Sequence, residues 1–189
     1  IVTASQIVMG LQTIISRQTD LTNEAAVISV GKISGGVRNN IIPEEAELIG
    51  TIRTLDVKMQ DIIHEKIKIT AENIARAQGA VAVVNIRKGV PVTYNNPELT
   101  MQMIPTMKRV FGGENVIQSK AITGAEDFSF YANEIPSLFL FVGGMPKGKD
   151  PRMAAPHHTP DFFIDDSGLK HGVELLCSLT WDYMNSAGQ

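Results

Sequence analysis

The order of apolar patterns in the first 90 residues is the feature that most constrains the fold. Apolar residues recur at helical spacing over residues 1–16, which predicts a helix with one buried face. A strand is predicted at 26–33, where β-branched residues are frequent. A second strand is predicted at 46–54, where Leu48 and Ile52 share one face and polar residues share the other.

A long helix and a third strand complete this part of the chain. Asp56 is predicted to cap the start of the helix, and Gly79 is predicted to end it in a left-handed conformation. The β-branched residues of 81–86 predict the strand. The order helix, strand, strand, helix, strand corresponds to a ferredoxin-like split βαβ unit whose first strand is missing.

A stretch rich in glycine, proline and asparagine at 89–97 predicts a domain boundary, which divides the chain into 1–92 and 93–189. Strands and helices alternate in the second part, which indicates an open α/β layer. Its predicted elements are a helix at 97–111 kinked or broken at Pro105, a short strand at 116–117, a helix at about 125–133, a strand at 137–142 covered on both faces, and a helix at 165–183.

Composition excludes several functional classes. The formal net charge of -3 offers no basic surface for nucleic acid, and no apolar run is long enough to cross a bilayer. The single cysteine, Cys177, excludes an internal disulfide, and its leucine-rich surroundings predict that it is buried in a helix. One unpaired cysteine is compatible with a cytoplasmic location.

Two adjacent histidines, His157 and His158, follow the apolar strand predicted at 137–142. Ligand chemistry in open α/β sheets lies in loops at the carboxyl ends of strands, and a neutral imidazole is a good zinc ligand. If the segment is extended, adjacent side chains point in opposite directions, so at most one histidine faces a metal. The alternative is an exposed pair of loop histidines with no ligand role.

A glycine and two carboxylates, Gly124, Glu126 and Asp127, precede a predicted helix. Simple capping of the positive helix end would explain the carboxylates. Alternatively, the helix start faces an anionic substrate group, and one carboxylate orients a metal-bound histidine.

The segment 35–43 (GGVRNNIIP) is explained either as a turn between two strands or as a substrate-binding loop. In the second case Asn40 donates its amide to a substrate carbonyl or carboxylate, and Arg53 supplies positive charge. His64 and His171 are both predicted to be surface residues on helices. The chain contains no nucleophile elbow, P-loop or dinucleotide-binding fingerprint.

Three segments in this order resemble the zinc metallopeptidase and amidohydrolase family of aminoacylases, carboxypeptidase G-like enzymes, and hippurate and auxin-conjugate hydrolases. They are 35–43 followed by GTIR at 50–53, GAEDF at 124–128, and HTPDF at 158–162. The resemblance covers essentially the whole chain and is strongest to the branch that hydrolyses N-acyl amino acids.

The resemblance implies an α+β lid of ferredoxin-like type at 1–92, which dimerises, followed by the C-terminal part of an α/β catalytic domain at 93–189. It implies that His158 is a metal ligand and that Asn40, Arg53 and Gly124 contact the substrate, with Glu126 and Asp127 supporting the metal ligands. The implied cofactor of the intact enzyme is zinc, as one ion or two, with manganese or cobalt as alternatives.

The family's other metal ligands, its general base and the first strand of its lid lie upstream of the segments matched here. The resemblance therefore implies a hydrolase of linear amide bonds in N-acyl or N-aminoacyl amino acids whose catalytic residues are not in this chain. We expect the 189 residues alone to bind zinc poorly and to be inactive. The alternative is a non-catalytic dimerisation or binding module.

Overall fold

The computed structural model describes residues 1–186, which form two compact units. Unit 1 comprises 1–92 together with 122–126, and unit 2 comprises the remaining residues. The regular elements are α1 (Val2–Gln18), β1 (Ala26–Gly35), β2 (Ala46–Thr54), α2 (Val57–Ala77), α3 (Pro97–Phe111), α4 (Ser129–Glu134) and α5 (Leu169–Ser186), with short 3-10 turns at Gly113–Asn115, Pro151–Met153 and Asp166–Gly168.

Unit 1 is built from two helices packed on one face of an antiparallel hairpin. The predicted helical stripe of α1 is its buried face, as expected from its spacing. Gly10 lies where α1 approaches α2, and a Cβ there would be 2.5 Å from Ile74 Cδ1, so the missing side chain allows the close packing. The buried core consists of Ile7, Leu11, Ile14, Ala26, Ile28, Ile63, Ile67, Ala71 and Ala75.

The hairpin register places inward-facing apolar residues opposite each other. Ile28 pairs with Ile52 on the core face, while Val27 pairs with Arg53 on the outer face. Leu48 also packs against the core, but Ile33 opposite it is 51% exposed. A register shift between Val30 and Lys32 marks a bulge in β1. The predicted alternation of β2 is therefore confirmed, and its bounds agree with the prediction.

Both predicted ends of α2 are confirmed. The Asp56 carboxylate accepts a hydrogen bond from the backbone N–H of Met59 at 2.6 Å. Gly79 has a φ of 69°, and the N–H of Ala80 donates to the carbonyl of Ala75, which ends the helix in a left-handed turn.

The third strand predicted at 81–86 is not formed. Ala82, Val84 and Ile86 pack against the core, whereas Val81 and Val83 are exposed, so the burial alternates as in a strand. Between residues 1 and 186, however, the backbone of this segment has no strand partner, and the sheet contains only β1 and β2. The alternation of residue types therefore predicted which side chains of 81–86 are buried. It could not predict whether another strand lies alongside to form the backbone hydrogen bonds of a sheet.

Unit 2 is centred on the packing of α3 against α5. Its core consists of Met103, Met107 and Leu175, and Thr106 is buried beside them. Asn96 caps α3 by accepting from the Leu99 N–H at 2.8 Å. The helix continues through Pro105, so the break offered as one prediction is wrong.

Several predicted elements of unit 2 differ from the structure. Residues 116–117 and 137–142 are not strands, α4 begins four residues later than predicted, and a 3-10 turn precedes α5. Phe141 and Val142 are exposed, so the segment 137–142 is not covered on both faces in the part of the chain that is described. Of the α/β layer predicted for 93–189, the structure therefore contains the helices and an extended segment, but no sheet.

Cys177 lies on the surface of α5, which contradicts the prediction that it is buried. Neighbouring elements cover only one side of α5, and Cys177 lies on a different side of the helix. No helix within residues 1–186 is both long enough and apolar enough to cross a membrane.

Candidate functional site

His158 lies in a tight loop of unit 2. Its φ is 64°, a left-handed value that is uncommon for a residue with a Cβ and that frequently marks functional positions. The Thr159 hydroxyl donates to the carbonyl of Pro156 at 2.7 Å, and the Phe162 N–H donates to the carbonyl of Thr159 at 3.1 Å. The first bond spans His158 and the second follows it, so the loop is held in a turn while the imidazole is exposed.

The neighbouring His157 is positioned by an aromatic contact. Its ring centroid lies 4.8 Å from that of Phe162, with the rings edge to face. The centroids of His157 and His158 are 6.4 Å apart. Because the backbone is left-handed and not extended at His158, the expected alternation of the two side chains does not apply.

The described side chains, those of residues 1–186, do not form a complete metal site. Within residues 1–186, no three His, Cys, Asp or Glu side chains come together to hold an ion. A zinc site needs three or four protein ligands, so the donor set around His158 does not fit a metal by itself.

Arg53 connects two of the three motif segments within unit 1. It lies on the outer face of β2, and its guanidinium donates to the carbonyl of Thr123 at 3.1 Å. Thr123 immediately precedes Gly124, so the arginine ties the GTIR strand to the start of the GAEDF segment. The guanidinium has five N–H donors, and one bond leaves others for a ligand.

Asn40 is an exposed residue of the turn between β1 and β2. The turn is closed by a weak hydrogen bond of 3.4 Å from the Ile41 N–H to the carbonyl of Arg38. A surface depression of about 700 Å³ is lined by this loop and by the start of α1. Arg38 and Asn39 line the depression, whereas Asn40 does not.

Glu126 and Asp127 precede α4 and are not part of its first turn. Glu126 is half-buried and Asp127 is exposed, and the Asp127 carbonyl accepts the N–H of Phe130 at 3.0 Å. The residue at the N-cap is Phe128, and α4 has no side-chain cap. Simple capping therefore does not account for the two carboxylates.

The two remaining histidines, His64 and His171, lie on helices and contact charged residues of the same unit. Burial, and then the positive charge of Lys88, lower the pKa of His64, while Lys88 forms an ion pair with Asp61. His171 is exposed and lies 3.6 Å from Glu174, one turn away, so its prediction as a surface residue is confirmed.

Sequence patterns did not single out Thr123 or Thr159. Thr123 acts through its backbone carbonyl, which no side-chain pattern reveals. Thr159 follows His158 and precedes Pro160. A threonine in such a turn often bonds to the nearby backbone, and this was the one sequence signal for the bond from its hydroxyl to the carbonyl of Pro156.

The comparisons with known proteins agree on one family. The model of peptidase family M20/M25/M40 matches residues 5–182. The N-acetyldiaminopimelate deacetylase of Geobacillus sp. is 34% identical over 186 residues, which cover 96% of this chain and 46% of the relative. The IAA-amino acid hydrolase ILR1-like 2 of Arabidopsis thaliana is 29% identical over 188 residues, or 97% of this chain and 42% of the relative.

A solved structure shows the same likeness. The YXEP protein of Bacillus subtilis, described as a dinuclear metal-binding peptidase of the M20 family, superimposes with a TM-score of 0.75 at 26% identity. The match covers 95% of this chain and 44% of that structure. The chain belongs to the M20/M25/M40 peptidase family, and it spans less than half the length of the relatives it matches.

Proposed function

We propose that this chain is part of a metal-dependent hydrolase that cleaves linear amide bonds in N-acyl or N-aminoacyl amino acids. The observation that carries the proposal is the family match over residues 5–182, which includes all three motif segments in order. The names of the relatives, a deacetylase and an amino-acid conjugate hydrolase, describe amide hydrolysis on an amino acid.

His158 is the residue to which we assign a metal-ligand role. Its support is the exposed imidazole on a loop held in an unusual backbone conformation. Residues 1–186 supply no complete donor set, so we assign the other ligands of zinc, manganese or cobalt, as one ion or two, to residues outside this range. We therefore expect the chain alone to be inactive.

Substrate contact is assigned to Asn40, Arg53 and Gly124. Arg53 has donors to spare beyond its bond to Thr123 and suits the carboxylate of an amino acid. Asn40 presents an exposed amide, and Glu126 and Asp127 are assigned to orient metal ligands through hydrogen bonds.

A chimera tests the function. The portion of the Geobacillus deacetylase outside the match is joined to this chain, and chelator-sensitive release of amino acid from N-acetyl amino acids is measured. We expect activity that His158→Ala lowers at least about 100-fold together with the zinc content. His157→Ala is the matched control and retains both.

A folded chimera without hydrolysis would show that the assigned reaction is wrong. If His158→Ala and His157→Ala lose the same amount of activity and zinc, His158 is not a specific metal ligand. The isolated 189-residue chain is assayed in parallel, and we expect less than one zinc per chain and no chelator-sensitive hydrolysis.

Residues 1–92 are assigned as a ferredoxin-like lid that forms a homodimer. The support is a hairpin covered on one face by two helices, next to a segment with strand-like burial. One edge of β1 has no strand partner within residues 1–186 and could pair with a second copy. Light scattering that shows a monomer would contradict the dimer.

We also place the protein in the cytoplasm.

The competing function is a non-catalytic dimerisation or binding module. The lack of a three-residue donor cluster in the described part of the chain favours it. The chimera separates the two, because a module would form the dimer but would not restore hydrolysis.

A further inference from the structure

The bond from Arg53 fixes the orientation of the peptide that joins Thr123 to Gly124. One guanidinium N–H of Arg53 donates to the Thr123 carbonyl at 3.1 Å, and all three residues belong to unit 1. Peptide bonds are planar, and those of residues 1–186 are all trans, so the carbonyl and the N–H of one peptide point in opposite directions. The Gly124 N–H therefore points away from the guanidinium.

The Gly124 N–H is a free donor in the part of the chain that the structure describes. No acceptor within residues 1–186 bonds to it, and Gly124 is exposed. A Cβ at this residue would have only the Cδ1 atom of Ile122 nearby, at 3.8 Å. The N–H is thus open to an acceptor from outside the described chain, and backbone N–H groups of this kind stabilise the negative charge that develops on a substrate oxygen.

Without the bond from Arg53, this peptide could adopt a second orientation. A flip changes ψ of residue 123 and φ of residue 124 by about 180°, and glycine tolerates the positive φ values that result. The flipped peptide would present the Thr123 carbonyl oxygen where the Gly124 N–H now lies, and that oxygen would repel a substrate oxygen. The charged guanidinium favours the observed orientation, because it is a strong donor to the Thr123 carbonyl.

We propose that Arg53 is a positioning residue that acts through the Thr123–Gly124 peptide and directs the Gly124 N–H toward the amide carbonyl oxygen of the substrate. This role rests on the proposed function, the hydrolysis of N-acyl amino acids. The oxygen gains negative charge in the transition state of amide hydrolysis, so the hydrogen bond from Gly124 is stronger there than in the bound substrate.

The opposed directions of the two donors identify the acceptor. An N-acyl amino acid offers a carboxylate and an amide carbonyl. The remaining N–H groups of Arg53 suit the carboxylate. Because the Gly124 N–H points to the other side of the peptide, it cannot bind the same carboxylate, and the amide carbonyl is the group that remains for it.

NMR of the 189-residue chain tests the orientation without an assay of activity. Three-bond couplings report φ of residue 124, and the distance from the Thr123 Hα to the Gly124 amide proton reports ψ of residue 123. We expect one orientation in the parent and at least about a tenth of the flipped form in Arg53→Ala. Adding Gly124→Ala to Arg53→Ala should remove the flipped form, because alanine avoids the φ values that the flip requires.

Arg17→Ala is the matched control. Arg17 is also an exposed arginine of unit 1 that donates to a backbone carbonyl, that of the adjacent Ser16 at 3.3 Å, and its loss changes the charge equally. We expect this variant to keep the single peptide orientation of the parent.

The chimera with the unmatched portion of the Geobacillus deacetylase tests the effect on catalysis. At saturating N-acetyl amino acid, Arg53→Ala should lower kcat at least about tenfold, whereas loss of a carboxylate contact alone would raise KM and leave kcat unchanged. Guanidinium ion in solution should restore kcat of Arg53→Ala at least about threefold, since it can donate to the Thr123 carbonyl. Sodium chloride at the same concentration should not, and Arg17→Ala should keep the parent kcat.

A single peptide orientation in Arg53→Ala would overturn the positioning role. A raised KM with unchanged kcat, or equal losses of kcat in Arg53→Ala and Arg17→Ala, would overturn it as well. A folded parent chimera without hydrolysis would instead contradict the proposed function, and the NMR comparison would still decide whether Arg53 orients the peptide.

Discussion

His158 combines an exposed imidazole with a backbone that favours glycine. Its φ of 64° costs any residue with a Cβ, and glycine removes that cost. We expect His158→Gly to have a free energy of unfolding about 0.5 to 1 kcal/mol above that of His158→Ala, measured by chemical denaturation.

His157 provides the control, because its φ is not in the positive range. At this position glycine only adds conformational entropy to the unfolded chain, so the order of the two variants should be reversed. If alanine is more stable than glycine at both positions, the loop does not hold His158 in the left-handed conformation.

Asp182 is a carboxylate whose stability contribution depends on pH. The Thr106 hydroxyl at 2.5 Å and the Arg109 guanidinium at 2.7 Å bond to it, and both lower its pKa below the ordinary 3.8. Because the folded-state pKa is the lower one, the contribution is fully present above the unfolded value and is lost as the pH falls through the folded one.

We therefore expect Asp182→Asn to lower the melting temperature near pH 7 and to have a shrinking effect as the pH falls below 3.8. Thermal unfolding from pH 7 to pH 2 measures the difference between variant and parent. A difference that stays constant over this range would show that the carboxylate charge does not contribute.

The end of α2 offers a test at the scale of one element. Gly79 has a φ of 69°, and no atom lies near the position that a Cβ would take. An alanine there would clash with nothing, so its only cost is the left-handed backbone conformation. We expect Gly79→Ala to lower the free energy of unfolding by about 1 kcal/mol. Gly89 is the matched control, since it also has open space and no positive φ, and Gly89→Ala should be neutral or slightly stabilising.

The helices and the two paired strands were predictable because their signals are local. The stripe of α1 and the caps of α2 are encoded within a few residues of where they act. The segments 81–86 and 137–142 have the side-chain alternation of strands, but neither pairs with another strand within residues 1–186. A strand is completed by a partner that is distant in sequence, so pattern alone predicted the side-chain faces and not the sheet.

Each unit of the whole molecule has its own buried core, and unit 1 allows a direct comparison of two adjacent isoleucines. Ile63 is fully buried, whereas Ile62 is 52% exposed. We expect Ile63→Ala to lower the free energy of unfolding by about 2 to 5 kcal/mol and Ile62→Ala by less than about 1 kcal/mol. Equal effects in urea denaturation would show that the α1–α2 packing does not hold this core together.

At the scale of the whole molecule, the sequence by itself determined the buried face of α1, the ends of α2, the β1–β2 hairpin and the order of the three family segments. These features depend on residue type and short spacing. The tertiary structure decided the left-handed turn at His158, the Arg53–Thr123 bond, the exposure of Cys177 and the lack of a strand partner for 137–142 within residues 1–186. Each of these depends on which distant groups are present to pack or bond, and no local pattern contains that information.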